Sequence, residues 1–385
     1  MNYILDYDIL NEKLSKMINL NRCSYAKTRL GYEIPYYTYG SGDNHVVIVG
    51  GTHGSEIISV DFVLRLMDQI SNKKGIFKSF DESKYTIHFI PVQNPEGFIV
   101  STSAIRTLIP KNMLIDECEK ICKDYYENYR QDDINVKNNP NDRSLKLHQK
   151  MFINSSYECI SDKHIKLKES IKNILSDSRI PKGSMICYRS NGSGIELNRN
   201  TRFNQGIKDI KNNKTVYGLN RYNNIPTTIP SPIGIPCIDV NNFEYELENK
   251  FLYKLLDKLF NDKKLKCCFL FHGTGGEIYY KPIFESYENN LDDIEKEKIE
   301  KINLDIALKY QEYTGYRLTD NKDEKFESFD GYMRTLYPGI ILIELSKMGG
   351  NPLGPYGDIE KNYIPTIESN LKAVESILEY LPNKV

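Results

Sequence analysis

Apolar residues in this chain fall into short solid blocks separated by longer amphipathic stretches. The block His45-Val46-Val47-Ile48-Val49-Gly50-Gly51 is β-branched and closed by glycines, which predicts a buried strand. From Glu56 to about Met67 the spacing becomes helical, through Ile58, Val60, Phe62, Val63 and Leu66, so the unit reads strand, loop, helix. Tyr85 to Val92 predicts a second strand, Lys266 to Phe271 a third and Gly339 to Leu345 a fourth. Phe243 to Phe260 carries one apolar stripe through Leu247, Phe251, Leu255 and Leu259, and predicts a helix. Further helices are expected over Asp293 to Tyr313 and Tyr363 to Leu381. Strands alternating with long helices imply an α/β fold, with a mixed, mostly parallel central sheet flanked by helices. Loops leaving the strand ends of such a sheet are where sites form.

One region breaks this rhythm. Ser101 to about Lys182 is polar and rich in Lys, Asp and Asn, with helices expected near 112–129 and 162–176. It reads as an insertion or subdomain within a single catalytic domain spanning 1–385.

Composition narrows the partners. The formal net charge is -1, leaving no excess of Lys and Arg to neutralise phosphate, so neither nucleic acid nor an anionic membrane is expected. The first residues carry acids and lack the apolar core of a secretory signal, and no later stretch reaches the ~18 apolar residues of a membrane span. The eight cysteines show no CxxC pairing and read as reduced thiols of a cytoplasmic protein, with Cys267 and Cys268 in the core. Nothing in the pattern bears on oligomeric state.

Four segments carry candidate chemistry. Gly50-Gly51-Thr52-His53-Gly54-Ser55-Glu56 places His53 and Glu56 three apart where a loop enters a helix, so both can face one point. Two histidines and a carboxylate are a known catalytic zinc set, although this segment alone also suits a capping Ser55 and an ordinary surface histidine. Phe269-Leu270-Phe271-His272-Gly273-Thr274-Gly275-Gly276 puts an imidazole at the exit of a buried strand. Alone His272 reads as a core residue; with His53 and Glu56 it completes a ligand set. Gly194-Ile195-Glu196-Leu197-Asn198-Arg199-Asn200 offers Arg199 and Asn198 to a substrate carboxylate, and Arg189 upstream could stabilise an oxyanion, or the segment is a loop of solvated arginines. In Ile340-Ile341-Leu342-Ile343-Glu344-Leu345 an acid stands inside an apolar run, where burial raises its pKa toward the range of a general base; the competing reading is an edge strand with Glu344 in water.

Together these segments resemble the M14 family of zinc carboxypeptidases, from about Lys27 to Leu381 apart from 101–182. The hallmarks stand in the family's order: Gly-x-His-Gly-x-Glu, Asn94-Pro95-Glu96-Gly97-Phe98, Gly-Ile-Glu-Leu-Asn-Arg-Asn, His272 and Ile-Glu-Leu at Glu344. Phe329-Asp330-Gly331-Tyr332 precedes Glu344 at a spacing like that of bacterial members. The resemblance implies zinc on His53, Glu56 and His272, with Glu344 as base and then acid. It implies that Asn198 and Arg199 grip a terminal carboxylate, that Arg189 occupies a basic position ten residues before Arg199, and that Asp330 lies at the specificity pocket. The implied substrate is a peptide with a free carboxylate, bacterial members of this kind cleaving γ-D-glutamyl bonds to diaminopimelate in cell-wall peptides. The family's substrate-capping tyrosine has no match, since Thr319 to Ser328 contains none and Tyr316 and Tyr332 are only neighbours. Two other functions fit parts of the pattern. An N-acyl amino acid deacylase of the aspartoacylase type shares the Gly-Thr-His-Gly-x-Glu segment, and a non-catalytic peptide-binding module could retain the fold.

Overall fold

The computed structural model describes residues 3–138, 157–176, 185–200, 207–209, 214–216, 245–284, 291–320, 328–348 and 352–381. Its strands are β1 Asn21–Lys27, β2 Glu33–Gly40, β3 Asn44–Val49, β4 Tyr85–Ile90, β5 Ile207–Asp209, β6 Lys214–Val216, β7 Leu265–Thr274, β8 Glu277–Tyr279, β9 Arg317–Thr319 and β10 Ile340–Ser346. Its α-helices are α1 Tyr7–Ser15, α2 Ile57–Ser71, α3 Pro95–Ile105, α4 Ile115–Asn138, α5 Ile165–Ser176, α6 Leu247–Asn261, α7 Asp293–Thr314, α8 Phe329–Leu336 and α9 Ile364–Tyr380. One sheet takes the order β1-β2-β4-β3-β7-β10-β8-β9, while β5 and β6 pair separately. The neighbours β4–β3, β3–β7, β7–β10 and β8–β9 are parallel; β1–β2, β2–β4 and β10–β8 are antiparallel. The expected mixed sheet with a parallel centre is therefore what the chain forms.

The central strands read as solid apolar runs because both of their faces are covered. Along β3, Val46 and Ile48 enter the core shared with α2, α3 and α9, while Val47 and Val49 enter the core shared with α6 and α8. β7 divides in the same way, Phe269 and Phe271 to one side, Cys268 and Leu270 to the other. So does β10, with Ile341 and Ile343 opposed to Ile340 and Leu342. The next outward residue beyond Leu270 on β7 is His272, and beyond Leu342 on β10 is Glu344. Both therefore belong to the face covered by α6 and α8.

The structure departs from the pattern in three places. α3 begins at Pro95 and runs to Ile105, so the start of the supposed insertion is the end of a core helix. All but one of its residues are buried, so no amphipathic stripe marks it; its signals are the Asn94 cap, which accepts from Gly97 N at 2.8 Å, and Pro95 in the first turn. β1 and β2 carry tyrosines and polar residues rather than an apolar block, and β8 and β9 are too short to show a period. α6 starts at Leu247, later than expected; residues 243 and 244 lie outside the described ones. α4 packs on the C-terminal segment, where Glu119 accepts from the Ile359 N–H at 3.0 Å. Among the described residues no helix is long and apolar enough to cross a membrane. The described cysteines are free thiols; Cys237 lies outside the described residues.

A hydrogen-bonded chain through the sheet sets a pH dependence. His88 on β4 is buried, with Nδ1 2.6 Å from the Tyr36 hydroxyl and Nε2 2.8 Å from His45 Nδ1. Burial, with His45 and Lys258 adding to it, pushes the His88 imidazole down to about 3. The unfolded chain binds this proton near 6.5, the folded chain only near 3. Stability is thus complete above the upper value and drains as pH falls between the two, by up to roughly 5 kcal/mol. Urea melts across that window should show a shallower acid slope for His88→Gln than for the native chain; equal slopes would exclude His88 as the source.

Candidate active site

The parallel strands β3, β7 and β10 end side by side, and the site is built where they end. β3 stops at Val49 and the chain turns through Gly51, at φ +61, before His53 and the first turn of α2. A Cβ on Gly51 would come within 2.9 Å of the Val60 and Val92 side chains. A Cβ on Gly54 would collide with the carbonyl of Gly97, and one on Gly97 with the carbonyl oxygen of Ser190. The three motif segments around residues 53, 95 and 190 thus stack at backbone contact, which only glycine allows. Side-chain amides fasten the stack. Asn94 donates to the Ser190 carbonyl at 3.1 Å. Asn191 accepts from the Ser193 and Ile195 N–H groups at 3.0 and 3.1 Å, and donates to Glu246 and Glu248 at 2.9 and 3.3 Å.

His53, Glu56 and His272 come together at this level, with one donor atom from each inside 4.8 Å. His53 Nδ1 lies 2.7 Å from Glu56 Oε1, His272 Nδ1 3.1 Å from Glu56 Oε2, and the two Nδ1 atoms 3.2 Å apart. A tetrahedral zinc with bonds of about 2.05 Å separates its ligand atoms by about 3.3 Å, close to the spacing of the two Nδ1 atoms, with one Glu56 oxygen near each of them. Both imidazoles are 1% exposed and the Glu56 side chain 14%, leaving the group nearly closed to solvent except on the carboxylate side. Burial pushes the Glu56 carboxyl up, yet the facing His53 and His272 outweigh it and hold it well below the usual carboxylate range. Burial likewise opposes charge on His272, while Glu56 and Asp330 outweigh it and raise its pKa. Gly273 makes room for the ligand, since a Cβ there would press on Glu56 Cγ at 2.7 Å.

The imidazole nitrogens on the far side from this triangle each meet a carboxylate. Glu196 Oε1 lies 3.3 Å from His53 Nε2, and Asp330 Oδ2 lies 2.9 Å from His272 Nε2. Such carboxylates fix the ring orientation and tautomer of a metal-bound histidine and raise its basicity. Asp330, expected at a specificity pocket, is 1% exposed and lies against His272. Glu196 carried no assigned role in the sequence, although its position between Ile195 and Leu197 is the same signal that marked Glu344. We expect Asp330→Asn to weaken zinc binding about 10- to 100-fold, read by competition with a chromophoric chelator. Unchanged affinity in a folded variant would remove Asp330 from the site.

Glu344 is in register with His272 across the β7–β10 ladder and is partly exposed. β10 lies between β7 and β8, so the edge-strand reading of this glutamate does not hold. Arg189 brings Nη2 to 3.0 Å from the His53 ring nitrogens, 3.9 Å from Glu56 and 3.8 Å from Glu196. Asn198 is buried and its Oδ1 accepts from the Asp330 N–H at 3.1 Å, tying its segment to the start of α8. The side chain of Arg199 lies outside the described residues, as do 321–327 of the loop where the capping tyrosine was sought. The two neighbouring tyrosines are engaged elsewhere: the Tyr316 hydroxyl accepts from Asn370 at 2.8 Å, and Tyr332 stacks on Tyr253.

Comparison with known proteins agrees with this geometry. The sequence matches the family model for zinc carboxypeptidase over residues 24–337. Among solved structures, the fold is similar to that of thrombin-activatable fibrinolysis inhibitor, with a TM-score of 0.52 and 15% identity over 98% of this chain and 73% of the other. The bovine form of that protein, solved with a tick carboxypeptidase inhibitor, gives a TM-score of 0.50 and 15% identity over 98% of this chain and 95% of the other. No curated protein matches the chain by sequence. On the family match and the ligand group it explains, the chain belongs to the M14 family of zinc carboxypeptidases and is a zinc-dependent metallocarboxypeptidase.

Proposed function

We propose that this enzyme hydrolyses a peptide or isopeptide bond next to a terminal carboxylate, and that its substrates are cell-wall-derived peptides in which γ-D-glutamate is joined to diaminopimelate. The observation that carries the catalytic part is the meeting of His53, Glu56 and His272 with Glu344 beside them in register. The resemblance of the Asp330 to Glu344 spacing to bacterial members supports the choice of peptide. Free thiols at the described cysteines support action in the cytoplasm.

His53, Glu56 and His272 would hold a zinc ion, which would supply Lewis acidity toward the scissile carbonyl and a water molecule. Glu344 takes the proton of the attacking water and later hands it to the leaving nitrogen, so one carboxylate serves as base and then as acid. Arg189 offers N–H donors to negative charge developing on the carbonyl oxygen. Asn198 and Arg199 grip the terminal carboxylate, a planar fork suiting a planar anion. Glu196 and Asp330 keep the two imidazoles turned toward the metal.

Mass spectrometry of products from a small panel tests the reading: free-C-terminus peptides, the same peptides amidated, and a γ-D-glutamyl-diaminopimelate tripeptide. Cleavage of the tripeptide, with amidated peptides untouched, is expected. Release of a terminal residue from ordinary peptides alone would make it a general carboxypeptidase. Acetate released from an N-acetyl amino acid would replace the peptidase reading by a deacylase. Silence on all substrates by zinc-loaded protein would favour a peptide-binding module.

A further inference from the structure

Four side chains stand in one row across the sheet. His272 on β7 is in register with Glu344 on β10, Glu344 with Glu277 on β8, and Glu277 with Arg317 on β9. Residues paired across a ladder point to the same face, so the row runs outward from the metal ligands at about 4.8 Å per strand. Between the two glutamates lies Gly275, where an added Cβ would sit 3.1 Å from Glu344 Cβ and 3.5 Å from Glu277 Cγ. No side chain therefore separates the base from its neighbour. Glu277 is held in place, one oxygen accepting from the Arg317 guanidinium and the other from the Tyr279 hydroxyl at 2.7 Å. Its side chain is 19% exposed and that of Arg317 71%. The reaction described above uses neither residue.

We propose that Glu277 and Arg317 form a subsite for an amino-acid head group carried on the side chain of the leaving residue, with its ammonium on Glu277 and its carboxylate on Arg317. The proposal rests on the peptidase reading of the site. An ion pair is net neutral and so selects neither a lone cation nor a lone anion strongly; it matches a zwitterion, which presents both charges on one carbon. Capacity remains for this, because a carboxylate accepts about four hydrogen bonds and a guanidinium donates five. The spacing also agrees. The leaving nitrogen must reach Glu344, and the subsite is one strand, about 4.8 Å, further along. Diaminopimelate carries two amino-acid centres joined by three methylenes, which with bonds of about 1.5 Å places them about 5 Å apart. Lysine offers the ammonium without the carboxylate, and norleucine offers neither.

The test compares kcat/KM for the γ-D-glutamyl amides of meso-diaminopimelate, lysine and norleucine, using zinc-loaded native enzyme, Glu277→Gln and Arg317→Ala. Binding of the uncleaved amides to Glu344→Gln protein, with and without Glu277→Gln, is measured alongside by calorimetry. The native enzyme should prefer diaminopimelate over norleucine by about ten-fold or more, the size of one charge-assisted hydrogen bond. Glu277→Gln should collapse that ratio, and Arg317→Ala should collapse the ratio of diaminopimelate over lysine. Equal losses on all three substrates, or unchanged ratios, would overturn the subsite while leaving the peptidase reading intact. If no amide is cleaved, the cell-wall-peptide reading fails and calorimetry decides the subsite alone. Tighter binding of the diaminopimelate amide that Glu277→Gln abolishes supports it, and equal or absent binding overturns it.

Discussion

Glu344→Gln is expected to lower kcat/KM on a cleaved peptide by about two to four powers of ten, with zinc content and melting temperature close to the native values. The size follows from the role: the attacking water loses its proton acceptor and the leaving nitrogen its donor, while the polarised carbonyl remains. The specificity of the effect follows from the placement. Glu344 is partly exposed on a strand whose inward neighbours Ile343 and Leu345 are buried, so an isosteric amide removes no core contact. The three metal ligands come from β7 and from the loop before α2, so the ion stays when the base is changed. A variant that keeps more than about a tenth of the activity would remove Glu344 from proton transfer.

Removing the zinc should abolish hydrolysis and lower thermal stability together. Glu56 sits among two buried imidazoles, and Asp330 beneath one of them is itself buried, so the cation balances charge that solvent does not reach. Protein that has free zinc at a thousand times its dissociation constant loses about 4 kcal/mol when the metal is stripped. Scanning calorimetry before and after chelation measures the loss, and one equivalent of zinc should restore both melting temperature and activity. His272→Ala should cost more than chelation, because it leaves Asp330 buried without its partner, a change worth about 3–5 kcal/mol that added zinc cannot recover. Activity that survives complete metal removal would contradict the site.

The centre of the fold was legible because burial on both faces turns β3, β7 and β10 into unbroken apolar runs. The ligands were legible because a histidine or glutamate at the end of such a run is conspicuous. α3 was hidden by the same burial, which erases the stripe that marks a surface helix. For Glu196 and Asp330 it was the partner that the sequence hid: each lies against a histidine far off in the chain, and pairing of that kind has no spacing to read. Glu277 and Arg317 lie on strands of three residues, too short for a period, and only the register of the ladder sets them beside Glu344.

Anomalous diffraction from crystals of the zinc-loaded enzyme, recorded on both sides of the zinc absorption edge, tests the central claim most directly. One peak is predicted, about 2.0–2.2 Å from His53 Nδ1, a Glu56 carboxylate oxygen and His272 Nδ1. A zinc peak bound elsewhere, or none at these three residues, would contradict it.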